Sequence, residues 1–90
     1  MVRRAALAGR AMMTFFTFAP GSEVPIHEHP HDQLSVVIRG KAAFTVEGEV
    51  RILGPGEGVR LPGGVRHGAR IMDEATEIWD VWAPPREEYL

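Results

Sequence analysis

The sequence predicts an all-β fold, a sandwich or barrel built of short strands. Ten glycines and seven prolines interrupt the 90 residues, so the segments between them are short. Those segments are rich in β-branched and aromatic residues, and some of them alternate apolar with polar positions. Frequent turns around such segments are typical of many short strands. A closed barrel also suits a small β protein, because closure removes the exposed strand edges that promote aggregation.

The strands and the turns between them can be assigned in chain order. A predicted strand at 12–18 ends at Pro20-Gly21. Segments 42–46 and 50–53 form a predicted hairpin around Glu47-Gly48-Glu49. Segment 3–13 is compatible with a helix on its alanine content alone. The other predicted strands lie at 34–38, 59–61, 67–72 and 76–83, separated by turns at Gly40, Gly54-Pro55-Gly56, Pro62-Gly63-Gly64 and Asp73-Glu74.

Size, charge and composition exclude several classes of protein. Ninety residues make one domain, 1–90, and so short a chain buries so little of its surface that we expect a homodimer. The net charge is -2 with acidic and basic residues mixed, which predicts no nucleic-acid partner. No stretch approaches the ~20 apolar residues of a membrane span. The apolar run 5–8 is too short for a signal peptide, so the expected location is the cytoplasm.

Three of the four histidines alternate along the chain, at His27, His29 and His31. Residues i and i+2 of an extended chain point to the same side, so His27 and His29 should aim two imidazoles at one point. Gln33, two residues after His31, should point to the same side. The chain has no cysteine, so any metal must be held by His, carboxylate or amide groups. A cluster of surface histidines beside prolines is the alternative interpretation.

The spacing of these residues resembles the two sequence motifs of the cupin family. The first motif, 21–40, is matched by Gly21, His27, His29 and Gly40, and the second, 56–71, by Gly56, Pro62, Gly64 and His67. Fifteen residues separate the two. The resemblance implies a jelly-roll barrel (a double-stranded β-helix), usually dimeric. It also implies one divalent metal ion inside the barrel, held by His27, His29, Gln33 and His67.

Gln33 departs from the family pattern, which normally has Glu at this position, and Ile71 stands where the second motif often ends in Asn. An amide can ligate through its carbonyl oxygen but carries no charge. Three imidazoles and one amide leave the charge of the ion uncompensated, which favours Lewis-acid chemistry over redox chemistry. The metal stays open among Zn, Ni, Cu, Fe and Mn, because imidazole-rich sites accept several of these ions.

The last predicted strand carries a polar residue on an apolar face. Ile78, Asp80 and Trp82 share that face, and a buried Asp requires a partner or a role. If the face points into the barrel, Asp80 is a candidate general base; otherwise it is an ion-paired strand residue. Arg86, after Pro84-Pro85, is either a carboxylate clamp at the barrel mouth or an ordinary surface arginine.

Two segments, 27–33 and 80–87, are similar to a subgroup of cupins that takes part in pectin degradation and linearises unsaturated uronates. The segments read His-Glu-His-Pro-His-Asp-Gln and Asp-Val-Trp-Ala-Pro-Pro-Arg-Glu. The resemblance implies Gln33 as a metal ligand and a substrate pocket lined by Asp80, Trp82 and Arg86. The subgroup usually has Phe in place of Trp82. Pro30 interrupts the strand before His31, which is a rim residue or a substrate contact.

Three functions are compatible with these features. The first is a metal-dependent isomerase or lyase that converts an unsaturated uronate, or a similar small sugar acid, to its open-chain keto form. In it the metal acts as Lewis acid, Asp80 and Arg86 are catalytic, and Trp82 and His31 bind substrate. The second is a metal-dependent dioxygenase. The third is a binding module for a metal or a sugar without catalysis.

Overall fold

A computed structural model describes residues 1–90 as nine strands and one short 3-10 turn. The all-β prediction is confirmed. The 3-10 turn, Glu87–Tyr89, is the only helical element, and no helix is long and apolar enough to cross a membrane. The strands are β1 (Val2–Ala8), β2 (Ala11–Phe18), β3 (Glu23–His27), β4 (Asp32–Arg39), β5 (Ala42–Val46), β6 (Glu49–Leu53), β7 (Gly58–Leu61), β8 (His67–Ile71) and β9 (Thr76–Ala83).

The strands form two antiparallel sheets that face each other across the core. The larger sheet has the order β1-β2-β9-β4-β7, and the smaller sheet has the order β3-β8-β5-β6. The chain passes repeatedly from one sheet to the other, as in a jelly roll. Apolar side chains from both inner faces fill the closed end: Phe16, Phe18, Val37, Ala42, Phe44, Leu53, Ile71 and Ile78.

Three neighbouring strands of the larger sheet, β2, β9 and β4, set the rows of side chains on its inner face. In the row nearest the core, Phe16, Ile78 and Val37 lie side by side. The next row is polar, with Thr14, Asp80 and Ser35, and the outermost row contains Met12, Trp82 and Gln33. The predicted shared face of Ile78, Asp80 and Trp82 therefore points inward, and all three residues are buried.

The helical interpretation of segment 3–13 is wrong, because this segment forms β1 and the start of β2. The two strands pair from Val2 opposite Thr17 to Ala8 opposite Ala11. Gly9 makes the turn with a φ of 54°, a left-handed value that costs glycine little. The pairing to β2 satisfies the backbone groups on one side of this edge strand, so the alanine propensity does not decide its conformation.

Candidate metal centre

Two histidines meet across adjacent strands of the smaller sheet. His27 ends β3, His67 begins β8, and the two residues are direct cross-strand partners. Their ring centroids lie 4.5 Å apart, and both side chains point towards the space between the sheets. The register of β3 against β8 therefore brings together residues that are 40 positions apart in the sequence.

His29 reaches the same point from a loop rather than from a strand. β3 ends at His27, and the chain then crosses to the larger sheet, where β4 begins at Asp32. His29 thus converges with His27 as predicted, but from a loop and not from an extended strand. The loop is fixed because the N–H of Gly64 donates to the carbonyl of His29 at 2.8 Å and the N–H of Gly63 donates to Asp32 Oδ1 at 2.8 Å. One imidazole nitrogen from each of His27, His29 and His67 lies within 4.8 Å of the other two.

All three imidazoles have the same hydrogen-bond arrangement on the side away from this cluster. Each Nδ1 contacts a backbone carbonyl: His27 that of Pro25 at 2.8 Å, His29 that of His31 at 3.0 Å and His67 that of Val65 at 3.0 Å. A carbonyl only accepts, so each Nδ1 carries the proton. In a neutral imidazole the lone pair is then on Nε2. Such a second contact fixes the tautomer and the ring orientation of histidines that bind metals.

Gln33 adds a fourth lone pair to the cluster. Its side-chain N–H2 donates to Ser35 Oγ at 2.9 Å, which leaves its Oε1 3.0 Å from His29 Nε2. Both of these atoms are acceptors when His29 is neutral. Two lone pairs at this distance repel unless a positive charge lies beside them.

Burial argues against a proton as that positive charge. The pKa of His29 is lowered by burial, as is the pKa of His67, although hydrogen bonds partly oppose the effect. Both imidazoles are therefore neutral at pH 7. Three imidazoles and one amide oxygen, all buried or half-buried, form a donor set that fits one divalent ion.

Asp80 lies behind Gln33 in the middle of β9. The residue is 5% exposed, and Ser35 Oγ donates a short hydrogen bond to its Oδ1. Burial raises the pKa of Asp80 to about 6, against the effect of hydrogen bonds from Ser35, Gln33 and Thr14. The ion-paired interpretation of Asp80 is wrong, since its partners are neutral.

A cavity of about 320 Å³ opens beside the histidines. Its polar wall contains His27, His67, Gln33, Asp80 and Arg86, and its apolar wall includes Phe16, Phe18, Phe44, Trp82 and Tyr89. His31 does not line it. The His31 ring packs against the rings of His29 and Trp82 at 5.6 Å and 6.3 Å instead, and its Nδ1 is buried without a hydrogen-bond partner.

Arg86 is not an ordinary surface residue, since only 16% of its side chain is exposed. Its guanidinium lies 5.1 Å from the ring of Trp82 and 4.7 Å from that of Tyr89. It forms an ion pair with Glu88 at 3.4 Å, but its Nε makes no hydrogen bond. A half-buried guanidinium at a cavity wall is suited to bind a carboxylate.

Three residues of this region were not predicted from the sequence: Ser35, Thr14 and Tyr89. Ser35 and Thr14 both flank Asp80 in the polar row. Tyr89 packs edge-on against Phe16 and Trp82. The alternation of the strands gives a signal for the first two residues. Ser35 lies on the same face of its strand as Gln33 and Val37, and Thr14 lies on the same face as Met12 and Phe16. No sequence signal predicts the position of Tyr89.

Comparison with known proteins decides the family. Residues 14–82 match the family described as the cupin domain. The chain is a cupin. The pectin degradation protein KdgF of Dickeya dadantii (strain 3937) is 32% identical to this cupin over 80 residues, which cover 88% of the chain and 73% of that protein. The resemblance to the cupins of pectin degradation is thus confirmed at the level of sequence.

Solved structures agree with the family and with the fold. The structure of KdgF from Halomonas sp. matches this cupin with a TM-score of 0.94 and 30% identity, covering 98% of this chain and 82% of that one. An RmlC-like cupin from Shewanella frigidimarina has a TM-score of 0.92 at 28% identity, with coverage of 98% and 79%. The jelly-roll prediction is confirmed.

A second relative has a different described activity. Dimethylsulfoniopropionate lyase DddQ of Ruegeria pomeroyi is 31% identical over 77 residues, which cover 83% of this cupin but only 38% of that protein. This cupin therefore spans well under half of the length of DddQ.

Proposed function

We propose that this cupin is a metal-dependent enzyme that opens the ring of a 4,5-unsaturated uronate to its open-chain keto form. The observation that carries the proposal is that one cavity is lined by two histidines of the cluster, His27 and His67, by a carboxyl whose pKa is about 6 and by a half-buried arginine. The similarity to KdgF in sequence and in structure supports the same reading, since KdgF is described as a protein of pectin degradation.

The proposed reaction is an isomerisation in which atoms and electrons balance without a co-reactant. The hydroxyl on C1 loses its proton and becomes a carbonyl while the bond between C1 and the ring oxygen breaks. The electron pair of that bond leaves an enolate at the ring oxygen and C5. A proton then adds to C4, and C5 becomes a ketone. The double bond conjugated with the carboxylate disappears in the last step.

The residues of the cavity match the requirements of these steps. A divalent ion held by His27, His29, Gln33 and His67 would supply Lewis-acid stabilisation of negative charge on oxygen. Asp80 accepts the hydroxyl proton and returns it to C4, because a carboxyl with a pKa of about 6 can both take and release a proton near neutrality.

The remaining residues orient the substrate. Arg86, a half-buried cation at the cavity wall, pairs with the uronate carboxylate. Trp82 packs against the sugar ring, and His31 acts from behind it, through its contact with the Trp82 ring. We further propose that the active form is a homodimer with one metal ion per chain.

A lyase acting on a small carboxylate is the second candidate, favoured by the similarity to DddQ. Arg86 could bind the carboxylate of either substrate. The cation of a sulfonium substrate, however, requires an aromatic face. The guanidinium of Arg86 already lies against the rings of Trp82 and Tyr89. A substrate without positive charge therefore fits this cavity better.

Loss of the ultraviolet absorbance of 4,5-unsaturated galacturonate tests the proposed reaction. Metal-loaded protein should remove the absorbance, whereas metal-stripped protein, Asp80→Ala and Arg86→Ala should each be slower by roughly 100-fold or more. Asp73→Asn is the matched control, because Asp73 is exposed and lies outside the cavity.

The alternatives give different results in the same experiment. Oxygen uptake during turnover would identify a dioxygenase, and release of a fragment from dimethylsulfoniopropionate would identify a lyase. Binding of the uronate without any loss of absorbance, by folded and metal-loaded protein, would leave a binding module and contradict the proposal.

A further inference from the structure

We infer that Ser35 is a positioning residue that holds the carbonyl oxygen of the Gln33 side chain towards the three imidazoles. The inference rests on the metal centre of the proposed function but not on its substrate. Gln33 and Ser35 are on the same face of β4, and Ser35 lies directly opposite Asp80 on β9. Ser35 is therefore placed between the amide and the buried carboxylate.

The hydrogen bonds around Ser35 all donate towards Asp80, from Gln33 to Ser35 and from Ser35 to the carboxylate. A serine hydroxyl has a single proton, and Ser35 donates it to Asp80. Its oxygen is then an acceptor, and it receives the N–H2 of Gln33 at 2.9 Å. Since the nitrogen of the amide is bound to Ser35, the oxygen must point the other way, to a position 3.0 Å from His29 Nε2.

The opposite orientation of the amide is unfavourable while Asp80 is ionised. It would place Gln33 Oε1 against Ser35 Oγ, whose only proton is used by Asp80. Two buried acceptors would then face each other, which costs about as much as an unsatisfied buried polar group, ~1–3 kcal/mol. The choice between the two orientations is therefore made by Asp80, through Ser35 and through the hydrogen bond that Gln33 itself donates to the carboxylate.

A second chain of hydrogen bonds, through Trp82 and Thr14, also donates towards Asp80. The indole N–H of Trp82 donates to Thr14 Oγ1 at 2.9 Å, which leaves the Thr14 proton for Asp80. All donors around the carboxylate, from the cavity wall on one side and from the histidine cluster on the other, thus point towards Asp80. A single buried acceptor fixes the network, so neither hydroxyl is free to reverse.

An amide at position 33 must be held in one orientation to bind a cation, whereas a carboxylate at this position would not need to be. The two ends of an amide differ, so only one of its two orientations presents an oxygen to a cation. The two oxygens of a glutamate are equivalent and need no such control. A glutamate at position 33 would moreover compete with Asp80 for the one proton of Ser35. Gln33 and Ser35 therefore act as a pair.

Binding of Co²⁺ alone tests the inference, by calorimetry and by visible absorption of the bound ion. We expect Ser35→Ala to weaken Co²⁺ binding by ~10-fold and to shift the visible band in the same direction as Gln33→Ala, since residues that orient a ligand affect affinity by ~10–100-fold. In the Gln33→Ala background, Ser35→Ala should have no further effect. Ser22→Ala is the matched control, because the Ser22 hydroxyl, which belongs to the cavity wall and not to the histidine cluster, donates to the carbonyl of Ala19.

Two results from the variants would overturn the inference: an unchanged Co²⁺ affinity and band in folded Ser35→Ala, or an equal loss of affinity with and without Gln33. Wild-type protein that fails to bind Co²⁺ would overturn it as well. If Ser35→Ala does not fold, Ser35→Thr and Ser35→Val form a pair of similar shape that differs in the hydroxyl. Thr should then retain the wild-type band and Val should not.

Failure of the inference and failure of the proposed function are distinguishable. The measurement contains no substrate, so a protein that binds Co²⁺ through Gln33 and Ser35 but leaves the uronate unchanged would support the positioning role and reject the reaction.

Discussion

At the scale of single residues, burial of Asp80 should make the metal-free protein less stable as the pH rises. The pKa of its carboxyl is about 6 in the folded chain and near 3.8 in the unfolded one. Between these values the folded state binds more protons than the unfolded state, so stability is full below about pH 4 and falls up to about pH 6. The difference between these two pKa values corresponds to about 3 kcal/mol in the free energy of unfolding.

Urea unfolding of metal-stripped wild type and Asp80→Asn, from about pH 4 to pH 7, checks this expectation. The difference between the two free energies of unfolding should decrease by up to about 3 kcal/mol over that range. The opposite effect of His29 and His67, whose lowered pKa values favour the folded state at higher pH, is common to both proteins and cancels. A difference that does not change with pH would mean that Asp80 is not buried as described.

The histidines allow a second prediction, for the thermal stability of the protein with and without Zn²⁺. A ligand at ~100 times its Kd adds about 2.7 kcal/mol to folding, which raises Tm by roughly 10 °C or more for a chain of this size. His67→Ala should lose most of this increase. His31→Ala should keep it, because its ring lies outside the cluster of three. An equal response of the two variants would contradict the assignment of the cluster.

Some residues of the candidate site could be placed on an inner face from the sequence, and others could not. Periodicity places His67, Asp80 and Trp82 on inner faces, because a strand turns alternate side chains to the same side. Ser35 and Thr14 obey the same rule but have no distinctive chemistry until Asp80 is beside them. That neighbourhood depends on the pairing of β9 with β2 and β4, which local sequence does not specify.

At the scale of the elements, Gly40 is the residue that should tolerate substitution least. Its φ is 86°, and a Cβ at this position would lie 2.8 Å from the carbonyl oxygen of Ala75 and 2.8 Å from Thr76 Cα. These are backbone atoms at the start of β9, which cannot move without displacing the strand. Gly21 has a similar φ of 74° but no atom within 4 Å of a Cβ.

The two glycines thus separate the cost of backbone conformation from the cost of contact. Gly21→Ala should lower the free energy of unfolding by about 1–2 kcal/mol, the cost of a left-handed alanine. Gly40→Ala should lower it by at least about 2 kcal/mol more. Chemical denaturation of both variants gives the values, and equal losses would show that the turn after β4 can relax.

Element boundaries were predictable where turn residues mark them. The hairpin around Glu47-Gly48 was predicted, and it has positive φ at both residues, 50° and 79°, as a two-residue turn requires. β1 was not predicted, because its alternating positions have similar polarity and all of its residues are exposed. β3 was not delimited either, since it ends at His27, the first residue of the histidine run.

At the scale of the whole molecule, the outer face of the larger sheet is the surface where a second copy should bind. Phe15 and Trp79 pack edge-to-face on it at 5.2 Å, Leu34 is 52% exposed, and the edge strand β1 is uncovered on both faces. Uncovered apolar sheet surface of this kind marks an interaction site in a soluble protein. A homodimer through this face should bury ~1,200–2,000 Å².

Sedimentation of two variants tests this interface. Leu34→Arg should shift the protein towards the monomer of 9.9 kDa, whereas Ile52→Arg should not, because Ile52 is equally exposed but lies on the other sheet. A wild type that sediments as a monomer, or dissociation caused by Ile52→Arg alone, would reject the interface.

The ring-opening reaction itself is tested most directly by proton NMR of 4,5-unsaturated galacturonate in D2O, with metal-loaded protein and a protein-free control. We expect the vinyl signal of C4 to disappear faster than in the control and one deuterium to be found at C4 of an open-chain keto product. Persistence of the vinyl signal at the rate of the control, with folded protein that contains one metal ion per chain, would contradict it.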